Sequence, residues 1–222
     1  AGPEYFPFPY LDFYLGLAKL QRLDDDADVY FKKYLKEYNG KNYIKESYRK
    51  LSWFYYLNDN SQWYNYYNQM CILDGDAVSD EDKSAYADAK SGRKPHKKLL
   101  KARLLFDGAY YEDAWQIIHE VEQSSLQNVW HKIEFEYRKA RILDKLGRVE
   151  EAKQAYKKTI SDGSILPTYF SPNSCVKLGN IYERENNTEQ AGLYYKKALE
   201  FNNHEYKNSI DAEAKAGLNR IK

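Results

Sequence analysis

The chain has two cysteines, one methionine and almost no net charge, and each shortage excludes something. Cys71 and Cys175 are far apart and form neither a Cys-x-x-Cys pair nor a Cys/His cluster. They read as ordinary thiols on helices, and neither a disulfide framework nor a zinc site is expected. The formal charge of +1 is the balance of 34 basic and 33 acidic residues. Such a molecule has no long-range field with which to hold nucleic acid or an anionic membrane, so neither is expected as a partner. No apolar run approaches the ~20 residues that cross a bilayer. The opening AGPEYFPFPYLDF lacks the basic start and apolar stretch of a signal peptide. Met70 is the single methionine and the chain does not begin with one, which predicts a trimmed or processed form whose secretion signal, anchor or further domains can lie elsewhere. No compartment is assigned.

Catalytic motifs are missing as well. The sequence contains no G-x-S-x-G, no phosphate-cradling glycine loop, no H-E-x-x-H and no G-x-G-x-x-G. Its four histidines, His96, His119, His131 and His204, stand on different segments without metal-like spacing and read as surface or helix-end residues. Acidic oxygens are dense around Asp74, Asp76, Asp80, Glu81 and Asp82. A calcium loop, however, needs an oxygen donor and then glycine where Val78 and Ser79 stand. That stretch reads as a solvated loop entering a helix, and Asp24-Asp25-Asp26 as a charged turn. The expectation is a protein that is not an enzyme and carries no metal or cofactor.

Tyrosine is abundant, with 23 copies, many in pairs such as Tyr66-Tyr67 and Tyr194-Tyr195. Its ring packs while its hydroxyl reaches water, which suits thin helical layers with little true interior. The segment EYRKARILDKLGRVEEAKQAYKKTI sets Ala140, Leu143, Gly147, Ala152, Tyr156 and Ile160 at intervals of helix, tight turn and helix. VKLGNIYERENNTEQAGLYYKKALEF repeats the pattern with Gly179, Tyr182, Asn186, Ala191, Tyr195 and Leu199. One unit upstream, Ala102, Leu105, Ala109, Ala114 and Ile118 do so again. Two antiparallel helices approach closely where small side chains face each other, so Gly179 is expected against Ala191 and Ala140 against Ala152. Gly147 and Asn186 are placed to take the left-handed conformation that ends a helix.

This order of small residue, aromatic or leucine, turn, then alanine and aromatic resembles the tetratricopeptide repeat, with good spacing from about 96 to 201. The N-terminal part is similar but weaker: Gly16, Ala27 and Phe31 fit one unit, and Leu51, Ser52 and Tyr55 fit the first helix of another. The resemblance implies an all-α, right-handed α-solenoid of about five helical hairpins. The final stretch SIDAEAKAGLNRIK, with Ile210, Ala214, Leu218 and Ile221 on one face, is expected to cap it. Three regions are read: aromatic-rich N-terminal hairpins over 1–71, an irregular acidic insert with a short helix over 72–95, and a regular array over 96–222. Ser79 and Asp82 are expected to cap the short helix, which ends near Gly92.

In proteins of that family the ligand usually lies against first-helix side chains on the concave surface. The resemblance therefore implies a protein-interaction scaffold, with a partner protein or peptide in the groove. The inward positions carry Arg103, Arg138, Arg141, Lys145, Lys177, Asn180 and Arg184, beside the acids Glu134, Asp144 and Glu183. That excess of cations suits an acidic peptide, because Arg grips a carboxylate with two parallel hydrogen bonds. Binding of a chaperone-tail carboxylate does not carry over: Leu99 stands where that arrangement needs Lys and Arg103 where it needs Asn. A second class is a glycan- or small-molecule-binding module, with Trp53, Tyr56 and Trp63 as an aromatic platform beside Asn58, Asn60 and Asn65. A hydrolase or transferase is a distant third, lacking any convergent site.

Overall fold

A computed structural model describes residues 8–222; the first seven residues, and with them most of the opening that lacks a signal-peptide pattern, lie outside it. Among the described residues there are twelve α-helices, a 3-10 turn at Gln123–Ser125 and no strand. The chain divides into two compact units, Ala1–Tyr110 and Tyr111–Lys222.

The first unit contains α1 (Pro9–Gln21), α2 (Ala27–Glu37), α3 (Ile44–Leu57), α4 (Ser61–Leu73), α5 (Asp80–Ser91) and α6 (Lys97–Asp107). α1 packs along α2 and α3 along α4, while α5 lies on α3 and α4, and α6 on α1 and α3. Phe31, Tyr34 and Leu51 are wholly buried at the centre, each stabilising the unit by about 1.5–3 kcal/mol. The second unit contains α7 (Tyr111–His119), α8 (Val129–Lys145), α9 (Val149–Gly163), α10 (Phe170–Arg184), α11 (Thr188–Glu200) and α12 (Lys207–Arg220). Here α8 pairs with α9 and α10 with α11, α9 packs on α10, and α12 lies on both α10 and α11. Ile210 and Ala214 of α12 are buried and join the core around Tyr137, Tyr156 and Tyr195, so α12 covers the last hairpin as expected.

One backbone device punctuates the chain. Leu23, Asp59, Ala109, Gly147 and Asn186 each take a left-handed conformation, with φ between 57 and 77 degrees for all five. The residue after each donates its N–H to a carbonyl five residues back: Asp24 to Lys19, Asn60 to Tyr55, Tyr110 to Leu105, Arg148 to Leu143 and Asn187 to Tyr182, all at 2.9 Å. The left-handed residue itself donates to the carbonyl three back, as Ala109 does to Phe106 at 3.0 Å. These paired bonds satisfy carbonyls that the end of a helix leaves open and reverse the chain within three residues. Five such reversals and a terminal helix agree with the sequence expectation. Only Gly147 of the five is a glycine; each of the others takes a conformation that costs an L-residue about 1–2 kcal/mol.

The boundary between the two units falls at Tyr110–Tyr111. The stretch 72–95 belongs to the first unit through α5, capped by the Ser79 hydroxyl and closed by left-handed Gly92 as the sequence implied. The glycines of the helix interiors make room for aromatic rings. A Cβ on Gly179 would stand 2.5 Å from the Tyr195 ring, and one on Gly217 of α12 would stand 2.4 Å from the same ring. Gly179 thus makes room for the Tyr195 ring. Gly16 receives the Phe31 ring in the same way, at 3.2 Å.

Candidate functional site

In the second unit the expected binding residues project from α8 and α10 and meet α12. Lys177 Nζ and Asn180 Nδ2 each lie 2.9 Å from Glu213 Oε1 of α12. Arg184 donates to Asp144 of α8 at 2.6 Å. Arg220 of α12 forms a two-pronged pair with Glu183 at 2.7 and 2.9 Å, and the Tyr195 hydroxyl, with one proton to give, stands 2.7 Å from Asn180 Oδ1 and 2.5 Å from Glu183 Oε2. The Arg220 pair is the first cause holding the Glu183 carboxyl below its ordinary range. Burial raises the Glu213 carboxyl, but the Lys177 and Asn180 hydrogen bonds outweigh it and the net shift is downward. The result is a polar surface cross-linked between helices, with Lys145 and the outer parts of Arg184 and Arg220 open to solvent. Lys177, Arg184 and Arg220 stand there against Glu213, Asp144 and Glu183, while on α8 Arg141 lies 5.7 Å from the centre of the Tyr137 ring and Lys145 5.9 Å from that of Tyr111.

Arg138 does not share that surface. Its side chain is only 3% exposed, bonded to Glu134 and to the Tyr169 hydroxyl, and its guanidinium faces the Tyr137 and Phe170 rings. It holds α8 to the start of α10 and presents nothing to a peptide. Arg103 belongs to the first unit, lying 4.7 Å from the centre of the Trp53 ring and 3.7 Å from Asp107.

The three aromatic residues of the expected platform do not form one surface. Trp53 is buried, its ring covered by Lys50 at 4.2 Å, Arg103 at 4.7 Å and Arg49 at 5.1 Å. Tyr56 is half-buried, with its hydroxyl donating to the Pro95 carbonyl and its ring against Tyr64. Trp63 alone is exposed, and its ring neighbours are Tyr55, Tyr66 and Tyr67. With the stacked pairs Tyr55–Tyr67 and Tyr48–Tyr67 these rings build a different aromatic face on α3 and α4. α4, SQWYNYYNQMCIL, carries no charged side chain.

Several buried charges were not legible as such. Lys45 of α3 donates to the carbonyls of Cys71 at 2.9 Å, Ile72 at 3.1 Å and Asp74 at 3.0 Å, closing the C-terminal end of α4. Asp82 of α5 is fully buried and accepts from the backbone N–H of Tyr43 at 2.8 Å and of Glu46 at 3.1 Å, closing the N-terminal end of α3. Glu46 is buried between Arg49 at 2.6 Å and Lys50 at 3.0 Å. Burial pushes its carboxyl up, and the cations overcome this, so the net direction is down. Burial dominates at Lys50, whose ammonium is shifted down. In sequence these residues look like the solvated face of a helix, and the signal that contradicts it is α5, which lies over them.

No cluster of His, Cys, Asp and Glu capable of holding a metal ion occurs among the described residues. Burial pushes both thiols, Cys71 and Cys175, up to about 12, leaving them un-ionised and poor nucleophiles near neutral pH. Among the described residues no helix is long and apolar enough to cross a membrane.

The tetratricopeptide repeat family matches residues 136–161 and 172–205. The first stretch covers most of α8 and α9, the second α10 and α11, so the match supports the resemblance read from the sequence over the hairpins that carry the polar surface. No curated protein is similar enough to the chain to count as a relative.

Proposed function

We propose that the chain is a protein-interaction scaffold that binds an acidic segment of a partner protein on the surface formed by α8, α10 and α12. Repeats of this family serve typically as non-enzymatic interaction modules. The observation that carries the reading is the cross-linked row in which Asp144–Arg184, Lys177–Glu213 and Glu183–Arg220 tie three helices together and fix cations from α10 and α12. Held in this way, the side chains lose little further freedom when a ligand arrives, which lowers the entropic cost of binding. Incoming carboxylates meet exposed Lys145 and compete with the internal partners of Arg141, Arg184 and Lys177. Arg138 has no part in this proposal.

The test is affinity capture from the source cell's lysate with the parent chain and with an Arg141→Glu/Lys145→Glu variant of unchanged circular dichroism. A partner held by the parent and lost by the variant is the expected result. Equal capture by both refutes the surface.

A second reading, binding of a neutral glycan, is favoured by the uncharged α4 with exposed Trp63 and Tyr66 among Gln62, Asn65 and Gln69. Ring faces beside amides suit the apolar faces and hydroxyls of a sugar. Retardation in gels containing neutral polysaccharide, abolished by Trp63→Ala/Tyr66→Ala, would transfer the function to that helix.

A further inference from the structure

A cavity of about 420 Å³ opens between the 3-10 turn at Gln123–Ser125, α8 and α9, away from the polar row described above. It falls within the size range of small-molecule sites and has room for about a dozen waters at ~30 Å³ each. Its apolar lining comes from Leu126, Ile133 and Phe135, all buried, and from Val129, half of which is exposed at the mouth.

One group in this lining is out of keeping. Glu136 is 7% exposed and lines the cavity, and its ion pair across the cavity is a long one. Its nearest cation is Lys158, with Nζ 3.9 Å from Oε1. Lys158 is instead committed to Asp162 at 2.7 Å, and Asp162 takes a further hydrogen bond from Ser161 at 2.6 Å. The one hydroxyl on the α9 wall, that of Thr159, is turned to the Ala155 carbonyl at 2.9 Å. Burial pushes the Glu136 carboxyl up, against the opposing pull of Lys139 and Lys158. The Glu136 oxygens are not among the enclosed side-chain atoms that lack a partner, so cavity water reaches them, and an entering ammonium replaces that water with a short charge-assisted hydrogen bond.

We infer that this cavity is a binding site for a primary ammonium carried on a short unbranched apolar stem, the ammonium meeting Glu136 and the stem lying against Leu126, Ile133 and Phe135. Two sources supply this chemistry: a free alkylamine, or a lysine side chain of a bound protein. An ammonium donates three hydrogen bonds from a small head and so satisfies the carboxylate inside the cavity. The stem displaces water from apolar walls. Lys132 and Lys158 at the rim oppose a second positive charge on the ligand.

The experiment titrates the full chain with n-pentylammonium chloride, n-pentanol and Nα-acetyl-lysine methylamide, following backbone amide shifts of residues 123–136 and 158–162. The expected result is saturable binding of pentylammonium at about 1 mM, in the weak range usual for so small a ligand, at least tenfold tighter than pentanol. Glu136→Gln, which keeps the shape and removes the charge, is expected to lose at least tenfold of the amine affinity and leave pentanol unchanged. Leu126→Trp, which fills the recess from the turn, provides a second blocked form. Equal binding of the alcohol, undiminished amine binding in Glu136→Gln, or no saturable shift with any probe overturns the inference. If the lysine derivative binds as well as pentylammonium the site receives a protein side chain; if only the free amine binds, it receives a small metabolite.

Discussion

Removing the Asp82 carboxylate tests whether α5 is an integral part of the first unit. Asp82 is fully buried and accepts from the N–H groups of Tyr43 and Glu46. In Asp82→Ala both donors lose their partner at the closed end of α3, where water cannot replace it. An orphaned buried donor costs about 1–3 kcal/mol, so the pair costs about 4 kcal/mol together. With a urea slope of ~2 kcal/mol per molar for a unit of this size, the unfolding midpoint falls by about 2 M. The measurement is urea unfolding by tryptophan emission in a Trp115→Phe/Trp130→Phe background, where only Trp53 and Trp63 of the first unit report. Asp82→Asn retains an acceptor oxygen and is expected to lose about half as much. Asp80→Ala, at an exposed position two residues earlier, is expected to lie within about 0.5 kcal/mol of the parent. If Asp82→Ala unfolds with the parent's midpoint, the capping role of α5 is refuted and the stretch 72–95 is a peripheral addition after all.

Two further outcomes are expected. Gly179→Ala drives a methyl group into the Tyr195 ring, which Gly217 backs on the other side, and is expected to destabilise the second unit by about 1–3 kcal/mol. Thermal unfolding measures this, and an unchanged midpoint would show that the ring has room to move. Glu183 has a folded-state pKa depressed by Arg220, so its contribution is present above the unfolded glutamate value of about 4.3 and is lost as the pH falls through the lower folded value. Arg220→Gln is therefore expected to lower stability at pH 7 and to flatten the loss between about pH 5 and pH 3; acid titrations of stability that remain parallel for the two proteins would refute it.

The helices and turns were largely legible in the sequence, because the residues that specify them act locally. Gly147 and Asn186 mark their turns by residue type, and Ser79 and Gly92 bound α5. Leu23, Asp59 and Ala109 end helices in the same conformation without residues that advertise it, since the hydrogen bonds of the turn outweigh the unfavourable backbone. The side chains of the candidate site were less legible. Periodicity places Arg138 and Arg141 on one helix face but does not tell that Tyr169, 31 residues on, receives the first of them. Trp53 and Trp63 are both aromatic residues on helices, and only the packing of Arg49, Lys50 and Arg103 separates the covered ring from the open one. Nothing in the sequence around Glu136 marks it, because the cavity beside it depends on a 3-10 turn whose geometry no spacing rule supplies.

The recurrent three-residue reversal has a kinetic consequence. Each hairpin's turn is closed by contacts only three to five residues apart, so the first step of assembling any repeat requires almost no loop-closure entropy. Five such sites can initiate independently, and neighbouring hairpins then need only dock. Refolding is thus expected to be fast for the length of the chain and to proceed along parallel routes, with no single obligatory starting point. A lesion at one turn would slow one entrance and leave the others open.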